Sequence, residues 1–418
     1  MARSTKAAAS LQKTQQLLDA AKARFRYCYD RQAYPRAIVH ALEAARIAPG
    51  IPQPWADAAV CNVYLERWDQ AVEYGLKAVQ LAPTNLSALD ALSHAYGGLK
   101  DWANVRRWGL AALQSRYARF AAPPSLAVAL PALPPLPSAA TRDANLIAFS
   151  LFGGRAKYCE TAVLNAIEQP RLYPGWRCVF YVDDSVPATV VARLQQHDAL
   201  VERVSPETAA RWPGPMWRFM AYDRPGVHRV MFRDADSVVT EREANAVAVW
   251  LQSGQHFHVM RDAATHTELI LAGCWGAVAG AMPPMAQLVD VFLQRPLESR
   301  HFADQYFLRE FVWPYAKQSL IQHDSMFGFL EAAPFPDGPQ PDGWHVGYAE
   351  GSPIINMAAD YPDGTPVRWT LYNRSAAGDV AVCTYPGVVM NKAVQDNLPR
   401  RYAEKVMQQQ MLIRVAPQ

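Results

Sequence analysis

The spacing of apolar residues changes near residue 145, and this change divides the chain into two kinds of structure. Before residue 120, apolar residues recur three and four positions apart, a spacing that predicts amphipathic helices. From residue 146 onward, short continuous apolar runs alternate with segments of helical spacing. This alternation predicts an α/β domain in which helices cover a mostly parallel sheet.

A repeat of 34 residues organises the helical part. Three similar segments begin with an aromatic residue, at Tyr34, Trp68 and Trp102. The small or apolar residues that recur with the same offset are Ala37, Ala71 and Val105, followed by Ala44, Ala78 and Ala112. Small side chains let paired helices approach closely, and the pattern resembles tetratricopeptide repeats, which have this period. We assign residues 1–120 to a tetratricopeptide-repeat helical domain.

The segment that follows the repeats is rich in proline. Residues 121–144 contain six prolines and no periodic pattern, which predicts an extended linker. A short repeat array either binds a partner, here another protein or a second copy of the chain, or packs on the next domain. The sequence leaves these alternatives open.

Strand-like and helix-like segments alternate from residue 146. The predicted strands are residues 146–152, 176–184, 199–206 and 227–234, and the predicted helices between them are residues 157–169 and 186–198. In open α/β sheets, ligands bind beyond the carboxyl ends of the strands. Acidic residues stand at two such ends, as Asp183-Asp184 and as Asp234-Ala235-Asp236. The sequence therefore predicts a polar ligand site at this edge of the sheet.

The spacing of Asp234 and Asp236 suits one divalent cation if the chain bends at the end of the strand. Carboxylate oxygens are ligands of Mg²⁺ and Mn²⁺, and substrate phosphates usually complete such a site. The alternative is structural, because aspartate is also common at solvated strand ends and at helix N-caps. The pair predicts a metal-bound phosphate or diphosphate as the ligand.

Composition and charge narrow the class of protein. The chain of 418 residues has a formal net charge of +3 and no dense run of lysine and arginine, which argues against a nucleic-acid partner. Its six cysteines are scattered without the spacing of a zinc site, so we expect reduced thiols. We find neither a signal peptide nor an apolar run of transmembrane length, and we expect a cytoplasmic protein.

The order of these elements resembles that of the GT-A glycosyltransferases over residues 145–350. The stretches LIAFSLFGG, YPGW, MWRF, FRDAD and VMRD are similar to a bacterial group in which tetratricopeptide repeats precede such a domain. The resemblance implies a GT-A-like, Rossmann-like fold and a hexosyltransferase-like activity that depends on Mn²⁺ or Mg²⁺. It also implies a nucleoside-diphosphate sugar as donor and a glycan, glycolipid or protein as acceptor, as in polysaccharide biosynthesis.

Roles for individual residues follow from the resemblance. The residues implied to contact the nucleotide are Phe149, Ser150, Phe152 and Asp183. Asp234 and Asp236 are implied to hold the metal, with Asp234 nearer the ribose. His345 is the candidate third ligand, because its His-x-Gly setting is similar to that of glycogenin-like retaining glycosyltransferases. The chain lacks the lysine and the Pro-Trp pair that follow this histidine in that group, and a structural histidine is the alternative.

Three further candidates for ligand contacts follow from their positions. Arg218 precedes the strand that ends at Asp234, and it pairs with a phosphate or with the metal-site acids, or else forms a surface ion pair. Gly273 and Trp275 lie where the resembled fold meets the transferred sugar. A tryptophan there stacks on the sugar or, as is more common, belongs to the core.

The candidate catalytic groups are Asp304, Gln305 and Asp262. Asp304 and Gln305 lie in the first turn of a predicted helix over residues 302–314, where an aspartate is also favoured by the helix dipole. An inverting reaction needs a carboxylate base, which either aspartate can supply. The sequence leaves the stereochemistry open, with a slight preference for retention because of His345.

Two other functions compete with the transferase. A phosphatase of the haloacid-dehalogenase type also uses two aspartates after a strand, but its nucleophile opens the domain, whereas three β/α units precede Asp234 here. A non-catalytic repeat scaffold with a degenerate transferase domain is the stronger alternative. The C-terminal extension, residues 351–418, is predicted to pack on the catalytic domain through a hairpin and a final helix over residues 398–413.

Overall fold

The computed structural model of the protein describes residues 2–297, 299–338 and 343–418. These residues form two compact units. Unit 1 runs up to Ala122 and also takes in Arg261–Leu269 and Gln322–Pro334, and unit 2 contains the rest of the chain from Pro123 onward. The two later segments of unit 1 fall inside the range that the sequence assigns to the second domain. Local sequence patterns do not show that a chain returns to an earlier unit, so this division was not predicted.

Unit 1 begins with six helices, which are α1 (Ala2–Tyr29), α2 (Tyr34–Ile47), α3 (Pro52–Tyr64), α4 (Trp68–Leu81), α5 (Leu86–Gly98) and α6 (Trp102–Arg119). The starts of α2, α4 and α6 lie 34 residues apart, as do those of α3 and α5. Left-handed turn residues, Gln32, Glu66 and Lys100, precede α2, α4 and α6 at the same spacing. The helices are therefore tetratricopeptide-like repeats, as the sequence predicts.

The small residues of the repeat lie where neighbouring helices touch. Ala37, Ala71 and Ala78 have no exposed surface. A methyl group on Gly98 would overlap the ring of Trp68, 2.5 Å from Cδ2 and closer still to Cε2, so this glycine lets the aromatic residue at the start of α4 pack against the end of α5. The positions that define the repeat in the sequence are thus the ones that set the spacing of the helices.

A buried ion network joins the last helix pair to the later segments of unit 1. Arg116 of α6, whose side chain is 5% exposed, donates to both carboxylate oxygens of Asp90 in α5, at 2.9 and 2.6 Å. Thr267 donates to Asp90 at 2.7 Å, and the carboxylate of Glu268 lies 3.1 Å from Arg116. Bidentate pairing of this kind satisfies a guanidinium that is removed from water. Residues from a distant part of the chain therefore complete the last helix pair.

A seven-stranded sheet lies mostly in unit 2, and two of its strands end in residues that belong to unit 1, namely Arg261 and residues 322–324. Its strands are β1 (Asn145–Leu151), β2 (Arg177–Val182), β3 (Leu200–Arg203), β4 (Arg229–Arg233), β5 (Phe257–Arg261), β6 (Trp275–Val278) and β7 (Leu320–Asp324), in the order β3-β2-β1-β4-β6-β5-β7. β1 is parallel to β2 and β4, and β2 is parallel to β3. β6 is antiparallel to β4 and β5. The sheet is mixed and rich in parallel pairs, and β1–β4 are the four strands predicted from the sequence.

Helical segments connect the strands. They are α7 (Ala156–Leu172), α8 (Ala188–Gln196), α9 (Pro206–Arg211), a 3-10 helix (Gly214–Asp223), α10 (Glu241–Gln252), α11 (Met285–Phe292), α12 (Ala303–Phe307), a π-helical turn (Leu308–Val312) and α13 (Trp313–Ala316). Every residue of β1 and β4 is buried, which explains why these strands read as continuous apolar runs. None of the helices in the described part of the chain is long and apolar enough to cross a membrane.

The C-terminal part of unit 2 contains two small sheets. Its elements are β8 (Ile354–Ala358), β9 (Pro366–Asn373), β10 (Val380–Val388), β11 (Ala393–Asn397), α14 (Arg400–Met407) and β12 (Met411–Pro417). β9 and β10 form the predicted hairpin. The predicted helix over residues 398–413 is wrong at its end, because the chain turns at Gln409, with φ of 59°, and continues as β12 against β9. The apolar residues after this turn continue the helical spacing, which is why the sequence predicts a longer helix.

This C-terminal part shares its core with the seven-stranded sheet. Glu160 of α7 is fully buried, and Arg193 of α8 donates to its two carboxylate oxygens at 2.7 and 2.9 Å. The hydroxyl of Tyr385, on β10, donates to the same carboxylate at 2.6 Å. A buried charge with three hydrogen bonds fixes the position of the small sheet, because removing any partner leaves part of the carboxylate unsatisfied.

The proline-rich linker is bound to unit 2 along part of its length. Arg229, at the start of β4, donates to the carbonyl oxygens of Pro134 and Pro135, each at 2.7 Å. The ring of His256 lies within hydrogen-bond distance, 2.8 Å, of the carbonyl oxygen of Pro131. Residues 127–138 form neither helix nor strand, and side chains of unit 2 hold this part of the linker, so it is not a free spacer.

We expect Arg229→Met to release this linker. Arg229 is buried, so its two hydrogen bonds hold the chain without competition from water, and bonds from a charged donor contribute about 1.5–3 kcal/mol each. Elastase, which cleaves after small residues, should then cleave after Ala129 or Ala132, both of which are exposed, at least about ten-fold faster than in the wild type. The exposed substitution Arg374→Met is the matched control. An unchanged cleavage pattern in the Arg229 variant would show that other contacts hold the linker.

Candidate functional site

The paired aspartates lie in a turn at the carboxyl end of β4. Ala235, between them, is buried, and its carbonyl oxygen accepts a hydrogen bond from the hydroxyl of Thr161 in α7. The hydroxyl of Ser237 donates to the carbonyl oxygen of Asp234 at 3.0 Å and holds the turn from the other side. The side chains of Asp234 and Asp236 remain 47% and 22% exposed. The chain therefore bends directly after β4, which is the bend that a cation shared by Asp234 and Asp236 requires.

Arg218 connects Asp234 to the helical segment that carries Asp304. Its side chain is 2% exposed. One guanidinium nitrogen, Nη1, donates to the carbonyl oxygen of Arg233 at 2.9 Å and to Asp234 Oδ1, and the other, Nη2, donates to Asp304 Oδ2 at 2.8 Å. The hydroxyl of Ser150 accepts a hydrogen bond from the backbone N–H of Arg218 at 2.9 Å, so β1 helps to fix the backbone position of this arginine. The surface-pair alternative for Arg218 is therefore wrong.

The second aspartate, Asp236, is paired with a lysine that the sequence analysis did not single out. Lys157 Nζ lies 3.2 Å from Asp236 Oδ2. Lys157 is the second residue of α7, the helix that follows β1 and the glycines Gly153 and Gly154. A strand, a short glycine-containing loop and a helix are the elements that bring a helix N-terminus to a ligand site. That local pattern was the available signal for Lys157.

Burial changes the acidity of two carboxyl groups in this site. Burial raises the pKa of Asp236, the charge of Asp234 adds to the rise, and Lys157 opposes it. Burial also raises the pKa of Asp304, and Arg218 opposes that rise. We take the guanidinium as charged throughout, because arginine keeps its proton in proteins. The site therefore carries more negative charge than its two cations neutralise while all three carboxyl groups are ionised.

A loop after β5 closes the site on another side. A methyl group on Gly273 would lie 2.6 Å from Cγ of Asp234 and closer still to its Oδ2, so only a glycine allows this approach. Gln305 holds the loop, because its side chain accepts from the backbone N–H of Ala272 at 3.2 Å and donates to the carbonyl oxygen of Ile270. Gly273 therefore lies against a carboxylate of the protein itself, and its predicted contact with the transferred sugar stays a prediction.

Two aromatic residues assigned to the ligand lie in the core. Phe149 has no exposed surface and stacks on Phe180 with ring centroids 4.7 Å apart, so it does not line a nucleotide pocket. Trp275 is 1% exposed and stacks on Phe232 at 4.2 Å, which is the core alternative. Phe152, by contrast, is 42% exposed at the end of β1. Of these three aromatic residues, only Phe152 is exposed enough to contact a ligand.

The two acids after β2 differ in exposure, because Asp183 is half-buried and Asp184 is exposed. Asp183 accepts from the backbone N–H of Ser185 at 3.1 Å and from the hydroxyl of the same serine. Asp184 is 93% exposed and lies 2.6 Å from Arg203. Asp183 therefore shapes its own turn, and its predicted contact with the nucleotide stays a prediction.

The remaining candidates are not gathered around the paired aspartates. Among the described residues, the ligand atoms of Asp234, Asp236 and His345 do not all lie within 4.8 Å of one another, so the predicted three-residue metal site is not assembled. His345 Nδ1 lies 2.8 Å from its own neighbour's carbonyl oxygen, that of Val346. Asp262 belongs to unit 1, where it pairs with His266. Of the stretch that precedes His345, residues 341 and 342 lie outside the described residues.

Comparison with known proteins gives only distant similarities. No protein-family model matches the chain, and no curated protein is similar to it in sequence. Among solved structures, the TPR2B domain of yeast Sti1 in complex with pHsp70 is 17% identical, with a TM-score of 0.24, over 25% of this chain and 82% of that one. The Arabidopsis OM64 TPR domain has the same identity and TM-score over 24% and 84%.

A transferase is also among the similar structures. An O-GlcNAc transferase mutant from Thermobaculum terrenum is 12% identical, with a TM-score of 0.28, over 52% of this chain and 46% of that one. The chain thus spans less than half the length of that protein. Similarity at these levels carries no conclusion about activity.

Proposed function

We propose that the protein is a glycosyltransferase that uses a nucleoside-diphosphate sugar and that unit 2 is its GT-A-like catalytic domain. The observation that carries this proposal is the position of the acids in the sheet. The chain runs outward from β1 to β2 and β3 and then returns to the other side of β1 with β4. Ligands of open α/β sheets bind at such a switch point, beyond the carboxyl ends of the strands. Phe152 follows β1 there, and Asp234 and Asp236 follow β4.

The site suits a ligand with an aromatic base and a diphosphate. Phe152 offers a ring on which a base stacks, and Asp183 lies after the neighbouring strand as a candidate partner of the ribose. Lys157 and Arg218 supply positive charge next to the acids. Cationic side chains and an acid pair in one cleft are typical of sites that bind phosphate together with a divalent cation.

The donor set fits Mg²⁺ or Mn²⁺ when substrate phosphates supply the remaining ligands. Asp234 and Asp236 would hold the cation, since both carboxylates keep exposed surface, and we do not include His345 among the ligands. When bound, such a cation neutralises charge that develops on the leaving diphosphate. Arg218 fixes the rotamer of Asp234, and Gln305 holds the loop that brings Gly273 against this carboxylate. We assign Asp304 as a positioning residue, because its buried carboxylate faces Arg218.

The acceptor is a glycan, glycolipid or protein in this proposal. The repeats of unit 1 would bind a protein acceptor or partner, the common use of a short helical repeat array. A second function, a non-catalytic scaffold, is favoured by one observation, because both aspartates of the pair already have a basic partner within the protein. Such pairing is also what a degenerate site would show.

Thermal unfolding with candidate donors tests the proposal. UDP, GDP, CMP and their sugars, each with and without Mn²⁺, would be added to the wild type and to Asp236→Asn. A ligand at about 100 times its Kd stabilises the native state by about 2.7 kcal/mol. We expect one nucleotide to raise the melting temperature in a Mn²⁺-dependent way, and we expect that rise to be lost in the variant. No rise with any nucleotide at millimolar concentration would favour the scaffold.

A further inference from the structure

We infer that the ammonium group of Lys157 occupies the cation position at Asp236 and that a divalent cation binds by displacing it. The inference rests on the divalent-cation part of the proposed function. It assigns to Lys157 the role of an internal counter-ion that competes with the metal.

The backbones of the two partners are held close together from two sides. The hydroxyl of Thr161, one turn after Lys157 in α7, donates to the carbonyl oxygen of Ala235 beside Asp236. Gly351 donates its backbone N–H to the carbonyl oxygen of Asp236 at 3.1 Å. A methyl group on Gly351 would lie 3.0 Å from the carbonyl carbon of Lys157, so the same residue touches both partners. With both backbones fixed, exchange at Asp236 requires movement of the lysine side chain alone.

The two basic residues of the site differ in their freedom to move. Arg218 is 2% exposed and is held by bonds to two carboxylates and a carbonyl oxygen. Lys157 is 21% exposed, and the only carboxylate within ion-pair distance of it among the described residues is Asp236. An ammonium group on a flexible four-carbon chain is a mobile point charge, whereas a buried guanidinium in a fork of carboxylates is fixed. Lys157 is therefore the displaceable cation.

The charges of the site suit this exchange. Asp234, Asp236 and Asp304 carry a formal charge of −3 when ionised, and Arg218 reduces it to −2. That remainder is what one divalent cation neutralises, and it is only half neutralised by Lys157. After displacement, the ammonium group of Lys157 would be free to donate to phosphate oxygens of a bound donor. The same movement of the lysine side chain thus frees the carboxylate of Asp236 for the metal and brings the ammonium group to the anionic ligand.

Mn²⁺ binding to the full chain, without nucleotide, tests the inference. Free Mn²⁺ would be followed by electron paramagnetic resonance in titrations of the wild type, Lys157→Met and Lys157→Arg. We expect Lys157→Met to bind Mn²⁺ at least about ten-fold more tightly than the wild type, because its competitor is gone. We expect Lys157→Arg to bind more weakly than the wild type, because a guanidinium pairs with both oxygens of Asp236. Lys157→Gln serves as a second neutral variant if the methionine variant folds poorly.

Two controls separate competition from general charge. Lys405→Met removes an equal charge from an exposed position of α14 and should leave the affinity unchanged. Asp236→Asn should weaken binding to the same level with and without Lys157→Met. Equal or weaker Mn²⁺ binding by both neutral Lys157 variants would overturn the inference while leaving nucleotide binding, and so the proposed transferase, untouched. No Mn²⁺ binding by any variant would overturn both the inference and the metal dependence.

Discussion

Arg218→Met is expected to lower the free energy of unfolding by about 3–5 kcal/mol and to abolish donor binding. The substitution removes the partner of Asp304, which is 10% exposed at its side chain, and leaves a buried carboxylate without a counter-charge. Breaking a buried pair from one side is strongly destabilising for this reason. Asp234 loses its fixed rotamer in the same step, because Arg218 is the group that orients it. Urea unfolding of the wild type and the variant measures the first effect, and the nucleotide-dependent rise in melting temperature measures the second.

A control and a double variant separate the causes. Arg211→Met removes an exposed pair with Asp290, whose side chains are 56% and 47% exposed, and should change stability by less than about 1 kcal/mol. Adding Asp304→Asn to Arg218→Met should recover part of the lost stability, because the unpaired charge is then gone. Donor binding should stay lost in the double variant. A loss below about 1 kcal/mol in Arg218→Met itself would mean that water reaches Asp304.

Features encoded by neighbouring residues were predictable from the sequence. The buried strands β1 and β4 appear as apolar runs, and the paired aspartates stand at the end of β4 with only Ala235 between them. The 34-residue repeat is likewise visible because each of its positions performs the same packing task in successive units. In these cases the pattern and the physical cause lie in the same short segment.

Features that arise only on folding were not predictable in this way. Lys157 and Asp236 are far apart in the chain, and neither segment contains a local pattern that indicates their ion pair. The resemblance implies a nucleotide contact for Phe149, but β1 is buried on both faces, and an unbroken apolar run does not reveal which residues face a ligand. The assignment of His345 as a metal ligand rests on resemblance to a short sequence motif. Such a motif does not determine where its loop lies in the fold. Tertiary contacts decided each of these positions.

Gly273→Ala is expected to reduce donor binding by at least about 100-fold while the protein remains folded. The new methyl group would lie 2.6 Å from Cγ of Asp234 and closer still to Oδ2. The end of a side chain is easier to move than backbone, so Asp234 should swing away from Arg218, at an overpacking cost of about 1–3 kcal/mol. Arg218 would then face one carboxylate instead of two. The nucleotide-dependent rise in melting temperature and the urea midpoint, measured on the same preparation, report the two effects separately.

The matched control for this substitution is Gly50→Ala. Gly50 has no atom within 4 Å of the position of an added methyl group, so the same chemical change should leave both donor binding and stability nearly unaltered. If Gly273→Ala instead binds the donor as the wild type does, the loop after β5 can retreat, and Asp234 does not depend on its close approach. If Gly273→Ala loses donor binding together with more than about 5 kcal/mol of stability, the glycine is needed mainly for the stability of the fold. Only the loss of binding in a stable protein ties the glycine to the orientation of Asp234.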